Sequence, residues 1–253
     1  MSEKKELFEV AELLIDVGAA LMGAGSHTSR VVRNVTRMAE SFGYEVFITV
    51  FQKNITMMVR KKGVIDSITL VRPTKAIALN FRIVSDLSQM SWQTHDNDWS
   101  VEIARSEYNQ IMSTPRLSRW IVLILVACAN ASFCKLFNGD FISCLLVFAG
   151  TLTAFFVRQE LMNRHANHLF IFFLASFISS SIASIAFHID ACTTPDIAQA
   201  TSVLFLIPGV PLINSMIDIM EGHVLTGIAR LVNATMLIIC LSIGFFVTLQ
   251  LFS

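Results

Sequence analysis

Beyond Pro115 the chain carries five apolar runs in succession, at 120–137, 141–157, 169–189, 198–219 and about 228–252. Crossing a bilayer takes about 20 mostly apolar residues. One such run could be a buried core helix, but five with almost no charge inside them point to a helical bundle in lipid. The charge is segregated accordingly. Residues 1–119 hold 15 of the 19 Lys and Arg and 13 of the 19 Asp and Glu, which leaves four and six for the rest. The expected fold class is a polytopic α-helical membrane protein: an α+β domain at 1–115, then a transmembrane domain of about five helices at 116–253. The first two runs are short and separated only by Asn138-Gly139-Asp140, which predicts a tight helical hairpin.

In the N-terminal part, Leu7, Val10, Leu14, Val17 and Leu21 recur at helical spacing with Glu and Asp between them. This predicts an amphipathic helix over 6–22, ending near Gly23 and Gly25. Ser26 or Thr28 can cap a second helix through Val31, Val35 and Met38, stopped at Gly43. Three β-rich runs follow, at 44–51, 54–60 and 64–71. The Gln52-Lys53 pair and the Lys-Lys-Gly at 61–63 suit hairpin turns, so the strands should be antiparallel. Helices are expected from Thr74 to about Met90 and from Trp99 to about Met112.

Basic residues set the expected topology. Arg116 and Arg119 precede the first span, Arg158 and Arg164 separate the second from the third, and Arg230 follows the fourth. The other side carries only Lys135 at its first loop, and Asp190 and Asp196 without Lys or Arg at its second. Basic excess marks the cytoplasmic side, so the N-terminal domain is expected in the cytoplasm and the C-terminus outside. Residues 1–6 are polar and charged, unlike a secretory signal. A formal net charge of zero gives no reason to expect nucleic acid. The five cysteines show no CxxC or Cys/His spacing, so no metal is expected. An odd number of spans leaves no room for an even duplication; if this is half of a transporter, another chain supplies the rest.

The most informative segment is LFLIPGVPLINSMIDIMEGHVLTGIAR, 204–230. Pro208 and Pro211 cannot donate backbone hydrogen bonds, and Gly209 permits conformations a helix forbids. The fourth span should break there and free carbonyls around 204–207. Freed backbone at membrane depth is tolerated only inside protein or along a wet cavity, and broken helices build substrate sites in transporters. Asn214 or Ser215, and then Asp218, follow Pro211 at three- to four-residue spacing along one helical face, and an Asp inside a span needs a partner. Glu221, His223 and Arg230 extend the polar run. The alternative reading is simple bundle geometry, with Asp218 solvated at the interface. Arg158 and Gln159, ending the second span, offer a cationic site or an interfacial anchor. The Ser-rich stretch 176–184 suits close helix packing. In the N-terminal domain, GAGSHTSRVVRNVTR (23–37) lacks the Lys-Ser/Thr of a phosphate loop. Its Arg30, Arg33 and Arg37 form one helical stripe, which could bind an anion or lipid headgroups or be a solvated face.

GAGSHTSRVVRNVTRMAESFG, SRWIVLILVACANASFCKLFNGD, TAFFVRQELMNRH and IPGVPLINSMIDIMEGHVLTGIAR, in this order, resemble the threonine/serine exporter family. The resemblance is to its large, split-type subunit with a cytoplasmic N-terminal domain, and within the family to the large subunit of a two-component exporter linked to succinate efflux. It implies a smaller, wholly membrane-embedded partner subunit and a hetero-oligomer in the bacterial inner membrane. It implies a secondary exporter of small carboxylates or of threonine and serine, not an enzyme, and no cofactor. Arg158, Lys135 and Arg230 would suit a dianion; Asp218 would suit an amino group or, like His223, a coupled proton. The competing expectation is a membrane-anchored metabolite sensor.

Overall fold

The computed structural model describes residues 2–51, 53–64, 66–74 and 79–252; for residues 2 and 3 the backbone alone is described. Gln52 of the first expected turn and residues 75–78 of the expected third helix lie outside the described residues. The chain forms two compact units, Met1–Pro115 with Val210–Val232, and Arg116–Gly209 with Asn233–Ser253.

The first unit is built around helix α1 (Ser2–Gly23), helix α2 (Thr28–Ser41) and a sheet of β1 (Tyr44–Val50), β2 (Asn54–Lys61) and β3 (Ser67–Pro73). The sheet order is β1-β2-β3, antiparallel throughout. Its register sets Val46 opposite Val59, Ile48 opposite Met57 and Val50 opposite Ile55, so one face is continuously apolar. Helix α1 lies on that face and buries Val10, Leu14, Val17 and Leu21 completely. Each such burial contributes about 1.5–3 kcal/mol. Gly18 allows the close approach: a Cβ there would stand 2.9 Å from Ile55 Cδ1. Helix α3 (Phe81–Asp96) packs beside α2, and α4 (Val101–Ser113) closes the unit through Arg105 to Asp16 at 2.8 Å. The third strand starts at Ser67, later than expected, and the third helix starts at Phe81, where Asn80 caps it by accepting from Ile83 N at 3.2 Å.

This unit also takes in α9 (Gly209–Met220) and the first turns of α10 (Val224–Phe252). The apolar content of these residues reads as lipid-facing, and it gave no sign of this association. Thr226 Oγ1 donates to Val50 O at 2.8 Å, tying the start of α10 to the end of β1.

The second unit contains α5 (Arg119–Leu136), α6 (Phe141–Asn163), α7 (His168–Ser184), the short α8 (Pro195–Thr201) and the rest of α10. Helices α5 and α6 form the expected hairpin. Asn138 takes the left-handed conformation (φ 65°) that ends α5, and Asp140 caps α6 by accepting from Ser143 N at 2.6 Å. Gly150 of α6 and Gly244 of α10 face the α7 backbone, where a Cβ on the first would meet Ser179 O at 2.9 Å and one on the second would collide with Phe173 O. Small residues permit such packing between membrane helices.

Among the described residues four helices are long and apolar enough to cross a membrane: Arg119–Leu136, Phe141–Asn163, His168–His188 and Val224–Phe252. A fifth span results if Pro195–Leu206 and Gly209–Met220 are taken together, and these are bent by 57° at the break. The interruption expected at Pro208 is present, with a 3-10 turn at Leu204–Leu206 before it. Gly209 itself is the first residue of α9, without a positive φ and with open space where a Cβ would stand. The two prolines therefore account for the break without any demand on this glycine.

Candidate functional site

Helix α1 ends in a Schellman motif. Gly25 has φ +95°, Ser26 N donates to Leu21 O, and Gly25 N donates to Met22 O. The chain then runs extended into α2, whose N-cap His27 makes no side-chain cap hydrogen bond. The first amides of a helix need acceptors from elsewhere. Here one comes from α9: Thr28 N donates to Asp218 Oδ1 at 2.7 Å. Asp218 is fully buried, and its Oδ2 lies 3.1 Å from Arg230 Nη1. Arg230 Nη2 also donates to Ser26 O at 3.1 Å, and Asn214 Nδ2 donates to Gly25 O at 2.8 Å. Three polar residues of the long motif thus grip Gly25, Ser26 and Thr28, where the chain enters α2. A carboxylate at a helix N-terminus is favourable electrostatically as well as by hydrogen bonding.

Helix α9 ends in the same manner as α1. Gly222 has φ +88°, and His223 N reaches back to Asp218 O at 2.7 Å. Glu221, at that turn, lies 3.5 Å from His27 Nδ1 and 3.9 Å from Arg33 Nη1. A hydrogen bond from the Ser29 side chain holds the Glu221 carboxyl below its usual range, helped by His27, Arg33 and His223. Burial holds His27 below the ordinary histidine value of 6.5; Arg30 and Arg33 push the same way, while Glu221 and Asp218 oppose.

The pH consequence has a definite sign. Between the lowered folded value and 6.5 the unfolded chain binds the His27 proton more readily, so stability falls as pH drops through that interval. The apparent Tm of the solubilised protein should therefore decline from pH 7.5 to 5.5, and His27→Gln should flatten the slope. An unchanged slope in the variant would rule out a neutral buried imidazole.

In the second unit, Asn130 is buried on α5 and donates to Thr151 Oγ1 at 2.7 Å, with Thr201 O at 3.3 Å and Ser202 O at 3.4 Å. Ser179 Oγ also donates to Ser202 O, at 2.8 Å. The carbonyls at the end of α8 are thereby satisfied by side chains, as a break inside lipid requires. Asn130 Oδ1 is buried without a hydrogen-bond donor among the described residues. Sequence spacing did not single out this nest, since its members lie on four separate segments. The serines of α7 also bond outward, Ser176 to Leu241 O and Ser184 to Gln199 Oε1, both at 2.7 Å.

Arg158 sits on α6 with its guanidinium 5.0 Å from the Phe172 ring centre and 5.5 Å from that of Phe155. Its Nε is buried without a hydrogen bond. The nearby carboxylate in sequence, Glu160, is engaged by Arg164 at 3.2 Å and Arg119 at 3.9 Å. No carboxylate pairs with Arg158 among the described residues. Gln159 points elsewhere, donating to Arg119 O at 3.2 Å. Of the residues expected along a substrate path, Asn214, Asp218 and Arg230 come together in the first unit, and Arg158 stands in the second. Pro208 lies at the break, Gly209 begins α9, and Pro211 lies in its first turn. His223 contributes its amide to the turn. Arg30 and Arg33 line a separate cleft. No group of three or more His, Cys, Asp or Glu able to hold a metal occurs among the described residues.

Residues 12–252 match the family described as "Putative threonine/serine exporter" (ThrE). The "Probable succinate transporter subunit YjjP" of Klebsiella aerogenes is 28% identical, over 96% of this chain and 94% of its own length. The protein of the same name from Escherichia coli K12 is 29% identical over 93% and 91%. A "Probable threonine/serine exporter" of Mycobacterium tuberculosis is 23% identical over 96% of this chain but only 46% of its own length. No solved structure matches.

Proposed function

Because the chain belongs to the threonine/serine exporter family, we propose that it is one subunit of a secondary exporter in the bacterial inner membrane. It moves small carboxylates, succinate first among them, or threonine and serine, with a smaller membrane-embedded subunit as partner. The observation that carries the reading is Arg158, a cation without a counterion among the described residues, set against two aromatic rings in an apolar helix bundle. An intramembrane charge is costly unless it serves a ligand or a partner, and a substrate carboxylate would complete it. The word "subunit" in the names of two full-length relatives supports a partner. So does the relative that is about twice as long, in which the remaining half would be the second component. The distribution of basic residues supports a cytoplasmic N-terminal domain and an external C-terminus.

The test is efflux of radiolabelled succinate and threonine from cells expressing this chain with and without a candidate small subunit. Succinate efflux that needs both chains is the expected result. Arg158→Gln should lower it about tenfold, the loss of one charge-assisted contact, with membrane insertion intact. Full efflux in that variant would remove Arg158 from the path. No efflux of any carboxylate or amino acid, even with the partner, would leave the sensor reading. Proton coupling through Asp218 or His223 belongs to the same proposal, and efflux indifferent to pH and uncouplers would eliminate it.

A further inference from the structure

Helices α2 and α3 enclose a cleft of about 400 Å³, within the range of small-molecule sites. Arg30, Arg33 and Arg37 line one side, Ser85 offers a hydroxyl, and Phe81 and Val84 supply an apolar wall; Ser88, also in the lining, donates to Val84 O at 2.7 Å. The floor is ordered before any ligand arrives. Arg37 Nη1 donates to Ser91 Oγ at 2.7 Å and to Asn34 Oδ1 at 3.1 Å, and its guanidinium lies 3.6 Å from the Trp92 ring centre. Asn34 Nδ2 in turn donates to Ser88 Oγ at 3.0 Å. A stacked, hydrogen-bonded guanidinium loses little freedom on binding an anion.

The positive charge in this cleft is only partly compensated among the described residues. None of its lining residues is acidic, and Arg30 has no ion-pair partner among the described residues. Arg33 reaches only Glu221, at 3.9 Å, and Asp86 turns to Arg82 at 3.5 Å. Arg37 is held below the usual arginine range by burial and by Arg33, with Asp96 opposing. Three like charges converge on an ordered hollow that also has an apolar wall.

We propose that this cleft binds a small organic dianion, a dicarboxylate or a phosphate monoester, between Arg30, Arg33 and Ser85, with its carbon skeleton against Phe81 and Val84. The site lies apart from the Arg158 reading and does not depend on it. The Arg33–Glu221 contact makes binding compete with the turn that ends α9. Occupancy of the cleft would therefore release Glu221 to His27 alone, which gives the site a route to the Asp218 grip at the start of α2.

The test is isothermal titration of the full-length protein in neutral-lipid nanodiscs, with the Arg158→Gln chain run alongside so that a bundle site does not count. The probes are succinate and glycerol 3-phosphate, with succinamide and glycerol as neutral controls. Saturable binding of at least one dianion, and of neither control, is expected in both chains. Arg30→Gln with Arg33→Gln should weaken it at least about tenfold. Both side chains are exposed, so the fold should be kept. Glu221→Gln should tighten binding about two- to fivefold, the worth of one partly exposed ion pair. Absence of binding by either dianion, binding unaffected by the paired arginine changes, or binding only of phosphatidylglycerol placed in the nanodisc would each overturn the assignment.

Discussion

Asp218→Ala should destabilise the first unit by about 3–5 kcal/mol, the cost of breaking a buried ion pair from one side. Arg230 would keep Ser26 O as a partner but lose its counterion, and Thr28 N would lose its acceptor at the start of α2. Asp218→Asn keeps an acceptor for Thr28 and removes only the charge, so its loss should be smaller. Thermal unfolding of the solubilised protein measures this, and the alanine variant should melt on the order of 10 °C lower. The double variant with Arg230→Met should recover part of the loss, because neither charge is then stranded. A cost below about 1 kcal/mol, the level of an exposed pair, would mean that the grip on residues 25–28 is not structural. Transport losses at Asp218 are therefore to be read beside stability, since this residue holds its own unit together.

Gly227→Val should act on the same grip from the other side, with a cost of about 3 kcal/mol. A Cβ at Gly227 would stand 2.6 Å from Ile219 Cγ1, 2.8 Å from Ser215 O and 3.0 Å from Ile219 N. Two of those three atoms are backbone and cannot rotate away. The start of α10 must then move off α9, and this widens the 3.1 Å separation of Arg230 and Asp218. Gly209→Ala is the matched control. It meets nothing within 4 Å and replaces a glycine with a better helix former at the start of α9. The two variants should separate clearly in the same melting experiment. Equal melting temperatures would mean that α9 and α10 are not held at the approach seen here.

Much of the architecture was legible before any coordinates. Apolar runs beginning at Trp120, Phe141 and Leu169 became α5, α6 and α7, because in lipid a chain has few ways to satisfy its backbone other than a helix. The β-rich runs became a three-stranded antiparallel sheet, as their short connections predicted. Pro208 and Pro211 announced the break through missing donors, a property each residue carries wherever it is placed. The stripe of Arg30, Arg33 and Arg37 was visible from helical spacing alone.

Sequence could not say what these groups face. Asp218 shows only that a carboxylate inside an apolar run needs a partner; that its partners are Arg230 and the amide of Thr28 is a fact of packing. Arg158 and Arg230 are both arginines bordering apolar runs, yet Arg230 has a carboxylate partner and Arg158 has none among the described residues. The arginine stripe on α2 became a cleft only because α3 brings Ser88 and Trp92 against it. Local chemistry and period are written residue by residue and determine which segments are helix, strand or break. Which charges are neutralised, and which are left to take a ligand, depends on contacts between segments far apart in the chain. Only the packed structure decides those.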